Sequence, residues 1–223
     1  MWIYTYIKSK MGNNEIKYIN PNNNDELHKW LKFIEKYRDE DNIYLWEKNI
    51  SSIPYNWVPE KITHLIGHGN NISEIPTYWN PGSITYLDLS DNNISEIPKG
   101  WNPGNITKLD IYHNNIYEIP IHWDTVNITF LRLSHNNISE IPMNWNPGRI
   151  TYLNLNSNNI SEIPHNWDPG DIELLYLYKN NISEIPMDWN PRYIRYLYID
   201  KGVKVDPKWR KRYPNIKIIQ DYS

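Results

Sequence analysis

Asp91, His113 and His135 stand 22 residues apart, and Asp88 and Asp110 repeat close by at the same interval. Two imidazoles and a carboxylate are zinc-type ligands, and a His beside a carboxylate titrates near neutral pH. If the chain stacks these residues at the ~4.8 Å spacing of adjacent strands, the column can hold a metal ion or exchange protons. A Ser–His–Asp set can also be written from Ser134, His135 and Asp110. Consecutive residues of a strand face opposite ways, which separates Ser134 from His135. No recognised catalytic motif surrounds any of these residues. The expectation is a chain without enzymatic activity or cofactor. The Asp91, His113 and His135 column is the alternative, as a metal or acid–base site.

Whatever positions these residues shares their period. Isoleucines recur at Ile50, Ile72, Ile94, Ile116, Ile138, Ile160 and Ile182, always 22 residues apart, with no insertion. A fixed period of about 20–50 residues marks a solenoid, whose units bury their apolar faces only against their neighbours. One unit runs from Ile84 to Asn105: ITYLDLSDNNISEIPKGWNPGN. Its Leu-x-Leu alternation puts two leucines on one face of a short strand, and stacked units pair such strands into a parallel sheet. Eight strands are expected, at 43–45, 65–67, 87–89, 109–111, 131–133, 153–155, 175–177 and 197–199.

The column Asn70, Asn92, Asn114, Asn136, Asn158 and Asn180 points into the turn after each strand. An amide there satisfies backbone groups that the bend leaves unpaired. The return half reads Ile-Pro-x-x-Trp-Asn-Pro-Gly, and its two prolines forbid a long helix. Trp57, Trp79, Trp101, Trp123, Trp145, Trp167 and Trp189 form a ladder expected to fill the space between turns, and Trp209 continues it out of register.

These residues resemble the leucine-rich repeat family. Its pattern LxxLxLxxNxL is carried by Ile84, Leu87, Leu89, Asn92 and Ile94, then by Ile106, Leu109, Ile111, Asn114 and Ile116. It recurs from Ile128, Ile150 and Ile172. Gly67, Gly202 and Lys48 depart from it near the two ends, as terminal repeats do. The resemblance covers about residues 41–203. It implies an α/β-type solenoid: a leucine-rich repeat horseshoe with one parallel sheet on the concave face and an irregular convex side. It also implies a recognition part of a larger assembly. Asn, Ile, Lys and Tyr abound and Ala is absent, as in an AT-rich genome. That composition is similar to leucine-rich repeat proteins of giant DNA viruses of amoebae, and AT-rich protists fit equally.

The ends read as caps. Residues 1–40 are expected to form a β-hairpin and an amphipathic helix capped at Asn23, with Leu27, Trp30, Leu31, Ile34 and Tyr37 on one face. Residues 41–203 are the repeats and 204–223 a C-terminal cap. Lys208, Arg210, Lys211 and Arg212 there are either a solvated cap or a patch for an acidic partner.

Between the leucines the sequence varies strongly, and those side chains point onto the open face of the sheet. This is where function is grafted onto such a fold. Tyr86, Asp88, Lys108, Asp110, Tyr112, Phe130 and Arg132 occupy its middle. Asn154 lies toward the C-terminal end, where Tyr152, Tyr176, Tyr178, Tyr196 and Tyr198 gather. Tyr and Arg are enriched at interfaces because they bury area and still offer a hydrogen bond. These residues are the expected binding surface for another protein. Glu74, Glu96, Glu118, Glu140, Glu162 and Glu184 form a separate acidic stripe.

Composition narrows the classes. The formal net charge is −3, which disfavours a nucleic-acid partner. No apolar run approaches ~20 residues, so no membrane partner is expected. There is no Cys and no apolar leader with a cleavage site. An intracellular, cytoplasmic location in the source or its host is expected. The eight N-x-Ser/Thr sequons are read as a by-product of the repeat.

Overall fold

The computed structural model describes residues 40–54 and 57–222, together with Lys32. The expected N-terminal hairpin and helix lie outside the described residues.

Each repeat contributes one short strand, and each strand pairs in parallel with the next. The sheet runs in sequence order through β1 (Asn42–Tyr44), β2 (His64–Ile66), β3 (Tyr86–Asp88) and β4 (Lys108–Asp110). It continues through β5 (Phe130–Arg132), β6 (Tyr152–Asn154), β7 (Leu174–Tyr176) and β8 (Tyr196–Asp200) to β9 (Lys217–Tyr222). The register is strict: Leu65, Leu87, Leu109, Leu131, Leu153, Leu175 and Leu197 stand opposite one another. All seven are fully buried. A one-residue slip would turn this entire set outward, so burial fixes the register.

The inner strands begin and end one residue earlier than the sequence pattern suggests. The first leucine sits at the strand centre, and the second already leads into the turn. Its N–H still donates to the next strand, as from Leu89 to the Asp110 carbonyl at 2.8 Å.

The Asn column stitches the turns together. Asn114 lies buried; its Oδ1 accepts from the Ile94 N–H at 2.9 Å, and its amide donates to the carbonyls of Leu89 and Ile111 at 3.0 and 3.2 Å. The residue before each Asn must bend left-handed. Asp91, His113, His135, Ser157 and Lys179 have φ between 51° and 55°, and Gly69 fills the same position at 68°. A left-handed φ is uncommon outside glycine, so the fold imposes backbone strain along this whole rim.

On the convex side the tryptophans stack as expected. Trp79 and Trp101 lie 6.4 Å apart at 5°, and Trp167 and Trp189 6.2 Å apart at 5°. Several indole N–H groups donate one turn back, as from Trp79 to the Trp57 carbonyl at 2.8 Å and from Trp167 to the Trp145 carbonyl at 3.1 Å. The ladder has one seam. Trp123 and Trp145 do not stack, and both indole nitrogens there, with the buried Thr125 hydroxyl, lack hydrogen-bond partners. At this turn Thr125 and Val126 replace the Pro-Gly pair of its neighbours. Val126 does not adopt the positive φ that glycine supplies in the turns around it.

The C-terminal residues close the described solenoid with a short helix and a further strand. Asp206 caps α1 (Pro207–Arg212) by accepting from the Lys208 N–H at 2.6 Å, and Pro207 starts the helix. The helix buries Trp209 against Trp189, 6.1 Å away. The chain then adds β9 to the sheet, a ninth strand that the 22-residue period does not announce. Its signal is local: the Ile-Lys-Ile-Ile run rich in β-branched residues.

Candidate functional site

Strand register sets the candidate face. One row reads Tyr86, Lys108, Phe130, Tyr152, Leu174 and Tyr196 across β3 to β8. The next reads Asp88, Asp110, Arg132, Asn154, Tyr176 and Tyr198. These side chains alternate with the buried leucines and project from the open face.

The C-terminal half is aromatic. Phe130 stacks on Tyr152 at 4.3 Å and 8°, and Tyr152 leans on Tyr176 at 5.2 Å. Tyr176 stacks on Tyr198 at 4.2 Å and 8°. The stack crosses diagonally from the first row to the second between Tyr152 and Tyr176. Its members are half-buried, because each ring covers its neighbour's face. Tyr196 flanks the stack, with the Lys217 ammonium 5.3 Å from its ring centre. Tyr178 is half-buried one position further along β7's exit.

The middle is polar and self-paired. Arg132 donates to Asp110 Oδ2 at 3.2 Å, and its guanidinium lies 4.2 Å from the Tyr112 ring centre. Asp110 Oδ1 accepts the Tyr112 N–H at 3.0 Å. Asp110 is therefore buried, and that burial pushes its carboxyl above the usual value despite Arg132. Asp88 and Asn154 likewise accept the backbone N–H two residues on, from Ser90 and Asn156. Asn154 is buried as well. Three of the residues expected to meet a partner thus also secure the strand exits, a use that column patterns do not reveal. Burial, with Asp88 and Asp110 nearby, holds the Tyr86 phenol above its usual pKa, so it stays protonated. Lys108 is exposed.

The rim column does come together. Asp91 accepts from His113 and lies 3.4 Å from His68. The His113 and His135 rings meet edge-on at 6.2 Å, and Tyr112 meets His135 at 5.1 Å. The groove beside them, about 560 Å³, is lined by the paired asparagines of the turns, one buried and one exposed in each, with Asp91, His113, His135 and Ser157. Burial and the nearby cationic groups, His113 first, hold His135 below the usual imidazole pKa. Among the described residues, no group of three or more His, Cys, Asp or Glu is arranged to hold a metal ion. Nor is any helix among them long and apolar enough to cross a membrane.

The family pattern described as Leucine Rich Repeat matches residues 83–102, 127–146 and 149–168. No curated protein matches the sequence significantly. Among solved structures, the chain is similar to YopM, a leucine-rich effector protein from Yersinia pestis, at 16% identity and a TM-score of 0.65. That match covers 97% of this chain and 57% of YopM, so the chain spans little more than half of that relative. A Shigella effector leucine-rich repeat domain matches at 18% identity and a TM-score of 0.64, over 99% of this chain and 97% of that one. The plant peptide hormone receptor RGFR1, solved in complex with RGF2, matches at 21% identity and a TM-score of 0.60. There the coverage is 82% of this chain and 36% of the receptor. Nine parallel strands in sequence order, the Asn column from Asn70 to Asn180 and the family pattern in three repeats give this chain the leucine-rich repeat fold.

Proposed function

We propose that the chain is a non-enzymatic recognition module that binds a partner protein on the concave face of its sheet. The observation that carries this reading is the stack Phe130, Tyr152, Tyr176 and Tyr198. Rings already held against one another lose little freedom on binding, and they offer apolar area to a partner. The Arg132–Asp110 pair beside them sets orientation, as charged groups do at interfaces. The same geometry disfavours a single-stranded nucleic acid. Such ligands stack on aromatic faces, and these faces cover one another. A Cys-free chain also suits a reducing intracellular compartment.

The test is capture of a partner by the whole chain, comparing wild type with Tyr152→Ala/Tyr176→Ala/Tyr198→Ala. Thermal unfolding confirms that both fold. Hot-spot residues cost about 2–4 kcal/mol on truncation, so binding should weaken by well over roughly tenfold. A partner held equally by both proteins would refute the assignment. So would a partner that proves to be nucleic acid.

A further inference from the structure

The C-terminal end of the solenoid carries two features that the concave face does not use. One is an open sheet edge, and the other is charge without a counterpart.

In the inner repeats, the backbone of each strand passes hydrogen bonds forward. Ile111 donates to the Arg132 carbonyl at 3.0 Å, Leu155 to Tyr176 at 2.9 Å and Leu177 to Tyr198 at 2.8 Å. β9 accepts this pairing from β8, and among the described residues nothing pairs with its other side. Alternate N–H and C=O groups of β9 therefore face outward with no strand among the described residues to receive them. The strand is firmly seated on its inner side. Gln220 donates to the Val203 and Asp200 carbonyls, at 3.0 and 3.4 Å, and Ile218 packs on the core. Lysines often guard such edges. Lys217 instead lies over the Tyr196 ring, drawn onto the concave face.

Residues 192–223, which include β9, hold nine Lys or Arg against three Asp, and the turn that carries Lys201 and Lys204 lies against β9 through the Gln220 hydrogen bonds. The acids described there are engaged internally. Asp200 accepts the backbone N–H groups of Lys179 and Asn180, and Asp206 caps α1. Arg195 pairs with Glu173 at 3.4 Å. Lys201, Lys204, Arg210, Lys211 and Arg212 are exposed and, among the described residues, have no carboxylate within ion-pair distance.

We propose that β9 docks an acidic, extended segment of a partner protein, which adds as a further strand while its carboxylates meet these cations. The main-chain ladder supplies affinity and the charges select the segment. Ile219 stands in register with Tyr198, so it offers the incoming strand an apolar neighbour on the concave side. The fitting segment therefore alternates acidic and apolar residues. A nucleic acid matches the charge but has no peptide backbone to complete the ladder.

The experiment uses the whole chain and a fluorescent peptide of about nine residues alternating Glu and Val. Anisotropy is read at about 0.15 M salt. The peptide should bind. Methylating its alternate backbone nitrogens should weaken binding roughly tenfold or more, since each lost ladder bond is an unpaired donor. Lys201→Glu/Lys204→Glu should weaken it likewise. Tyr152→Ala/Tyr176→Ala should leave it unchanged, so that failure of the concave-face reading and failure of this one are separable. Four results would each overturn the proposal: no binding, equal binding of the methylated peptide, tighter binding of a single-stranded oligonucleotide, or self-association of the chain that the peptide does not displace.

Discussion

Replacing Asn92 and Asn114 together should destabilise the chain by more than the two single replacements added. Each amide bonds to several carbonyls, yet most of those carbonyls have a second donor. The Leu89 carbonyl accepts from Asn92 at 3.1 Å and from Asn114 at 3.0 Å. Gly67 accepts from Asn70 as well as Asn92, and Ile111 from Asn136 as well as Asn114. Asn92→Ala therefore orphans one buried group, the Ile72 N–H, and Asn114→Ala orphans the Ile94 N–H. A buried unsatisfied group costs ~1–3 kcal/mol, which is the expectation for either single change. The double change also strips both donors from the Leu89 carbonyl. That adds a coupling of ~1–3 kcal/mol beyond the sum. Asn92→Ala with Asn136→Ala shares no carbonyl and should be additive. Urea unfolding followed by tryptophan fluorescence measures the three single and two double variants against wild type, because the ladder reports its own exposure. If the adjacent pair adds within ~0.5 kcal/mol, as the separated pair should, the shared-carbonyl argument is wrong.

Thr125→Val removes a buried hydroxyl without a partner and keeps the shape, so it should stabilise the chain by ~1 kcal/mol, read as a higher Tm. Asp110 binds its proton more tightly folded than unfolded. Its contribution to stability is therefore full below the unfolded carboxylate range and is lost as pH rises through the folded value. Arg132→Met should push that value higher still, visible by carboxyl NMR titration, and cost ~1–3 kcal/mol at neutral pH by leaving a buried charge unpaired. An unchanged titration would show that Arg132 does not act on Asp110.

The period made most of this fold readable. An unbroken interval fixes which residues stack, and the Leu-x-Leu alternation fixes which way they face. The Asn and Trp columns follow because each repeat meets the same surroundings as the last. Positions that break the repetition were harder to read. β9 follows a two-residue slip in the tryptophan register, so extrapolating the period cannot find it. The site was legible as a set of columns and not as a set of bonds. Asp88, Asp110 and Asn154 look like free surface groups in sequence, yet a short side chain two residues before an unpaired N–H turns back to it. The diagonal of the aromatic stack depends on rotamers, which spacing does not encode. Asp91, His113 and His135 share a left-handed backbone, so their column reflects a shape requirement before any chemistry.

The seam at Trp123 and Trp145 divides the tryptophan ladder into two stacked runs. Elsewhere several indoles are pinned to the turn before, so changing the radius of the horseshoe means breaking bonds along its outer wall. The Trp189 indole also lacks such a tie, but between Trp123 and Trp145 the ring stacking is missing as well, while the inner wall is clasped by Arg132 on Asp110 across the same joint. The solenoid therefore resembles a jaw with its pivot beneath the Arg132–Asp110 clasp, where the polar half of the face gives way to the aromatic half. A partner that touches both halves would span this joint.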